Sequence, residues 1–153
     1  MTEPHQPEQF EGRWRLGEVR VQDTYPGMSN QESAIWTRWL LLHVGELTGV
    51  SYAVQVGQGS PVPAGAPEWL ARDWEYLTKL RIDAVAGWKN HLWVVEVKSR
   101  QSMSGLGQCL AYQALLIRDW SLVSPPGMLH VVSMLTPDLA PAFERNGVHV
   151  EVV

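Results

Sequence analysis

Residues 80–99, LRIDAVAGWKNHLWVVEVKS, constrain the chain more than any other stretch. Two runs dense in β-branched and apolar residues, 80–86 and 91–99, flank GWKN, a pattern that predicts a β-hairpin. The second run, WVVEVK, has no polar alternation before Glu96 and so reads as a strand covered on both faces. Such a strand does not tolerate charge cheaply. Asp83, Glu96 and Lys98 therefore need a reason to be there. One reason is an ordinary solvent-facing ion pair of Glu96 with Lys98 beside a solvated Asp83. The other is a cleft. With a two-residue turn at Trp88 and Lys89, Asp83 lies opposite Val94, and Glu96 becomes its diagonal neighbour on the same face, about 7–8 Å away at the backbone. Two carboxylates can lean across that gap and hold one cation. A turn longer by one residue would send them to opposite faces.

The rest of the chain supplies one domain around this hairpin. It has 153 residues, 45% apolar and 18% charged, a globular balance at a length that buries a core without cross-links. Cys109 is the single cysteine, which excludes an intramolecular disulfide and a CxxC metal site and fits a reducing, cytoplasmic setting. No apolar run approaches the ~20 residues of a membrane helix, and the N-terminus carries no secretory signal, so no membrane partner is expected. The net charge of −4 means that any nucleic-acid contact must be local rather than a matter of bulk charge. Eight tryptophans promise large apolar or stacking surfaces without selecting a function.

Residues 1–28 are broken by Pro4, Pro7, Gly12, Gly17, Pro26 and Gly27 and read as an N-terminal arm. Trp14, Leu16, Val19 and Val21 suggest a short ribbon in it, packed on its own domain or ordered by a partner. The domain is assigned to residues 29–153. Ser29 and Glu32 match a capping box, and Ile35, Trp36, Trp39, Leu40 and Val44 continue with helical spacing. Residues 50–56 read as a strand and 57–67 as a proline- and glycine-rich loop long enough to be functional. Pro67 then opens a short helix with Leu70, Trp74 and Leu77 on one face. After the hairpin come a helix over 105–120 with Leu106, Leu110, Ala114 and Ile117 on one stripe, and a central strand, MLHVVSML. A short helix from Pro137 and an edge strand within GVHVEVV end the chain. The order α-β-β-β-α-β-(α)-β gives an α/β fold, a mixed sheet with helices on its faces.

Three more residues stand near the hairpin in this order. Gln108 and Tyr112 are four apart on one helix face, offset from the Leu106 stripe, as cleft groups or as ordinary helix polarity and a buried tyrosine. Glu32 lies at the edge of the first helix's core face and is equally a capping residue. The five histidines are scattered with no helical zinc spacing, Cys109 reads as a small core thiol, and GQG at 57–59 lacks the G-K-[ST] of a phosphate loop.

Ile82-Asp83, thirteen residues on to Glu96, E-V-K through Lys98, then Gln108-x-x-x-Tyr112, all behind a helix bearing an acid, resembles the PD-(D/E)XK nuclease superfamily. The Gln108/Tyr112 element is similar to that of RecB-type and lambda-exonuclease-type members. The resemblance spans about residues 29–134, with Ile82 where the family's name has proline. It implies a single-domain restriction-endonuclease-like core, αβββαβ, and Mg²⁺- or Mn²⁺-dependent hydrolysis of DNA phosphodiesters. It implies Asp83, Glu96 and the Val97 carbonyl as metal ligands, and Lys98 orienting water or neutralising charge. Glu32 would hold a metal-bound water, while Arg100, Gln108 and Tyr112 would contact DNA. Arg81 is a candidate phosphate contact or an ion-pair partner of Asp83. The alternative is a catalytically idle protein on the same fold within a larger assembly such as a phage neck or tail. It would then be housed in the virus particle and touch other subunits through the arm and the 57–67 loop.

Overall fold

The computed structural model describes residues 9–10 and 13–153, with side chains from residue 15 onward. Two-residue strands β1 (Gln9–Phe10) and β2 (Arg13–Trp14) pair with each other. The main sheet contains β3 (Leu47–Val56), β4 (Leu80–Trp88), β5 (His91–Arg100), β6 (Gly127–Met134) and β7 (Val148–Val152), in that spatial order. The first three strands are antiparallel, and β6 and β7 join parallel to β5, so the sheet is mixed. Helices α1 (Asn30–His43), α2 (Glu68–Thr78), α3 (Met103–Asp119) and α4 (Ala140–Arg145) complete the chain. α2 is an insertion between β3 and β4; without it the order from α1 to β6 is αβββαβ, a restriction-endonuclease-like α/β core.

Each long helix starts where the sequence offers a cap. Ser29 accepts from the Glu32 amide while the Glu32 carboxylate accepts from the Ser29 amide, closing both halves of the capping box on α1. Ser102 caps α3 through the Gly105 amide. α1 lays Ile35, Trp36, Trp39 and Leu40 on Ala84, Ala86, Val95, Val97, Leu129 and Val131, forming one face of the core. α3 covers the opposite face with Cys109, Tyr112 and Leu116 on Ile82, Val85, Val94 and Met128. The alternation of Val94 with Val95 between the two clusters is the pleat of a strand buried on both sides. Most of the tryptophans with described side chains serve this interior: Trp36 stacks on Trp39 at 4.9 Å, and Trp88 meets Trp39 edge-on at 5.2 Å.

Several expectations are corrected. The hairpin turn is Lys89–Asn90, one residue later than the sequence suggested, because Trp88 pairs with His91. Both turn residues have positive φ, 51° and 60°, as a two-residue turn matched to strand twist requires. The buried stripe of α3 is Gly105, Cys109, Tyr112 and Leu116, whereas Leu110 is 36% exposed and Ala114 faces water. Tyr112 belongs to this stripe, so it faces the core and is not offset from it. α2 buries no residue fully, and Leu77, expected on its packed face, is exposed. Residues 15–28 contain no strand, so the expected ribbon does not form over Leu16, Val19 and Val21. This segment lies on the domain: the Gly17 carbonyl accepts from the Val50 amide, and Tyr25 is buried with its hydroxyl on Thr37.

Candidate functional site

β4 and β5 are paired from the turn up to Ala84↔Val95 and then part. β4 stays with β3 through Ile82, Arg81 and Leu80, while β5 stays with β6 through Arg100. The divergence falls on Asp83. Continued by one rung, the register would set Asp83 against Glu96 rather than on its diagonal as the sequence suggested. The Asp83 carboxylate takes the place of a backbone acceptor: its Oδ2 receives the Val97 amide at 2.8 Å. Adjacent to this, β3 carries Ala53 at φ 48°, and the β3–β4 pairing passes from Tyr52↔Ala84 to Val54↔Ile82 without Ala53 and Asp83. Both strands turn their apolar faces over there. Val50 and Ala84 pack with α1, but Val54 and Ile82 pack with α3. A left-handed alanine inside a strand is a strained residue of the kind that collects at functional sites.

The notch contains Asp83, Glu96 and Lys98. Glu96 is 2% exposed, and its Oε1 is 3.1 Å from Lys98 Nζ. Its Oε2 is buried with no hydrogen-bond partner among the described residues. Burial pushes the Glu96 pKa up, and the Asp83 charge pushes it further, to about 8 against the pull of Lys98. Burial likewise raises Asp83 to about 6, opposed by the Val97 amide and reinforced by the charge of Glu32. Both carboxyls are thus held above the ordinary carboxylate range, and Lys98 is the cation set against them. Burial works against charge on Lys98, but Glu96, Asp83 and Glu32 outweigh it and hold the ammonium above its ordinary pKa. The ion pair is thus not the solvent-facing one of an ordinary hairpin.

The other expected residues divide. Glu32 is close enough for its charge to act on Asp83, Glu96 and Lys98, yet its own carboxylate is engaged in the capping box. Gln108 Nε2 donates to the Tyr112 hydroxyl at 3.3 Å, and Gln108 Oε1 is a second buried acceptor without a partner. Burial raises the Tyr112 pKa, and the Glu96 and Asp83 charges add to it, although its ring belongs to the core under α3. Burial also raises Cys109, to about 12, with the same two carboxylates contributing; the thiol is a core group beside the site. Arg100 is exposed at the end of β5, two residues beyond Lys98. Arg81 is not an ion-pair partner of Asp83, for its guanidinium lies over the Tyr76 ring at 5.2 Å. Sequence reasoning placed His130 among the scattered histidines. In the fold it is fully buried beside Glu96 on β6, and its Nδ1 is 2.9 Å from the Glu96 carbonyl oxygen. The available signal was a lone polar ring inside an otherwise apolar central strand.

A metal would find a sparse donor set. Among the described residues no group of three or more His, Cys, Asp or Glu side chains is placed to hold an ion. Asp83 and Glu96 offer two carboxylates. Val97 points its amide at Asp83, so its carbonyl faces the same side of the strand. Two carboxylates and one carbonyl suit a hard cation that keeps several of its waters. The bare Oε2 of Glu96 is the structural sign that the site is short of a positive partner.

No family model matches the chain, and no curated protein matches it. Among solved structures it is similar to a repair endonuclease from Pyrococcus abyssi, with 14% identity and a TM-score of 0.48 over 85% of this chain. The matched region is 49% of that protein's length, so the chain spans about half of it. Among the described residues no helix is long and apolar enough to cross a membrane.

Proposed function

We propose that the chain is a Mg²⁺- or Mn²⁺-dependent nuclease that hydrolyses DNA phosphodiesters, a reading that places it in the PD-(D/E)XK superfamily. The observation that supports it is the convergence of Asp83, Glu96 and Lys98 at a strand divergence, with one oxygen of Glu96 buried and unpartnered. Asp83, Glu96 and the Val97 carbonyl would hold the cation. When bound, it supplies Lewis acidity and lowers the pKa of a coordinated water. Asp83 keeps one oxygen on the Val97 amide, which fixes the direction of the other. Glu96 would hold the cation as a carboxylate, through the Oε2 that has no partner among the described residues. Lys98, held charged by three carboxylates, neutralises the negative charge that builds on the attacked phosphate. Gln108 and Tyr112, bonded to each other on α3, would contact DNA from that side, and the exposed Arg100 would offer a cation for a neighbouring phosphate.

The test is cleavage of plasmid and end-labelled DNA with Mg²⁺ or Mn²⁺, comparing wild type with Lys98→Ala at equal folded concentration. Losing a contact to transition-state charge reduces the rate by about 10²–10³. Equal rates would remove Lys98 from the mechanism, and an inactive wild type across metals and DNA forms would refute the nuclease reading.

A further inference from the structure

Once β4 leaves β5 at Asp83, the stretch from Glu96 to Lys98 has a backbone neighbour on one edge only, β6. On the other edge its tether is a side chain, the Asp83 carboxylate on the Val97 amide. A donor segment held this way is poorly fixed for a task that needs two oxygens, from Glu96 and Val97, to stay in register. His130 supplies a third tether. It sits directly across from Glu96 in the parallel ladder, and its ring reaches back to the Glu96 carbonyl, with Nδ1 at 2.9 Å. A carbonyl oxygen only accepts, so Nδ1 carries the hydrogen and Nε2 is a bare acceptor. That Nε2 is buried and has no hydrogen-bond partner among the described residues.

The ring is locked in this pose. It stacks on Phe143 of α4 with centroids 5.5 Å apart and planes 16° from parallel. On the other side it meets the first turn of α3 at Gly105, where a Cβ would come within 2.5 Å of Nε2. The glycine is what admits the imidazole between helix and sheet. Burying an acceptor without a partner works against folding, so a side chain of this size chosen for packing alone would be apolar.

Resting on the nuclease reading above, we propose that His130 is a positioning residue for the metal-binding segment: its Nδ1–H fastens the Glu96 carbonyl and thereby sets where the Glu96 carboxylate and the Val97 carbonyl stand. It touches neither metal nor DNA and acts through β5. The general expectation for a group that orients a metal ligand is a 10–100-fold loss of metal affinity or activity when it is removed.

Two variants separate this role from packing. His130→Phe keeps the ring and its stack but has no donor. His130→Asn loses the ring but presents an amide N–H near the position of Nδ1. The expected result is crossed. The folded Phe variant should bind Mn²⁺ at least about 10-fold more weakly than wild type by calorimetry or electron paramagnetic resonance titration. The Asn variant should be less stable yet retain Mn²⁺ affinity within about threefold. A Phe variant with wild-type Mn²⁺ affinity would overturn the proposal, and so would an Asn variant that loses as much affinity as Phe. Should either variant not fold, ¹⁵N NMR of wild type reads the ring directly: the Nδ1–H tautomer is required, and an Nε2–H tautomer would overturn the proposal. Failure of the nuclease reading looks different, since wild type itself would then take up no Mn²⁺ and Asp83→Asn would change nothing; that result removes both.

Discussion

Replacing Glu96 by glutamine should stabilise the metal-free protein in alkaline solution and not in acid. In the folded state the Glu96 carboxyl titrates at about 8 rather than near its ordinary 4.5, chiefly through burial and then through the Asp83 charge. Asp83 moves the same way, to about 6 from 3.8. An acid with a raised folded-state pKa binds its proton more tightly folded than unfolded. Its contribution to stability is therefore complete below about pH 4 and is lost as pH rises through the folded values. While one extra proton is held, each pH unit removes about 1.4 kcal/mol. Over the window from pH 4.5 to about 8 this amounts to a few kcal/mol, on the order of 10 °C in Tm for a domain of this length. The introduced glutamine keeps the shape of the buried group and has no proton to lose. Lys98 forfeits its partner but is 28% exposed and can turn to water. Urea denaturation in a chelator should give near-equal stabilities at pH 5 and a variant more stable by a few kcal/mol at pH 9. Adding Mn²⁺ at pH 8 should then raise the wild-type stability and leave the variant unchanged. Parallel pH profiles for the two proteins would refute the reasoning, because they would mean that Glu96 is not held protonated by its surroundings.

Glu32→Gln should leave stability nearly unchanged, since glutamine also completes a capping box, whereas Glu32→Ala should cost about 1 kcal/mol in urea denaturation. If the Gln variant nonetheless slows DNA cleavage, the Glu32 charge serves the notch as well as the helix. Ala53→Gly should stabilise the fold by about 0.5–1 kcal/mol, the relief of a left-handed alanine less the entropy of a glycine, read from the same denaturation curves.

The elements were largely legible in the sequence because their signals are local. The Ser29–Glu32 box fixed the start of α1, and the apolar run before Glu96 marked β5 as covered on both faces. What the sequence misplaced depends on partners. The stripe of α3 offers two readings, Leu106–Leu110–Ala114 and Gly105–Cys109–Tyr112, and hydrophobicity favours the first. The fold takes the second, which sets Gly105 against the His130 ring, where a Cβ would come within 2.5 Å of Nε2. Lys89–Asn90 could have been found from asparagine's tolerance of positive φ; a turn at Trp88–Lys89 would have put a tryptophan in that conformation. Neither the left-handed Ala53 nor the bond from His130 to Glu96 leaves any mark at the level of residue type.

The misplaced turn did not misplace the carboxylates, and the reason is geometric. Moving a two-residue turn along by one shifts the pairing by two, so each side chain changes partner and keeps its face. Asp83 thereby moves from the diagonal of Glu96 toward a place across from it, where its charge raises the Glu96 pKa. Such a pair could not be tolerated inside a continuous ladder, where two buried acids would face each other with every backbone donor already used. Parting β4 from β5 removes that obstacle. It frees the Val97 amide, Asp83 takes it, and one acid is anchored by the donor the divergence released. The other acid keeps one oxygen on Lys98 and one bare. The same break in pairing that opens the notch thus supplies the hydrogen bond that orients its first carboxylate and leaves the second short of a cation.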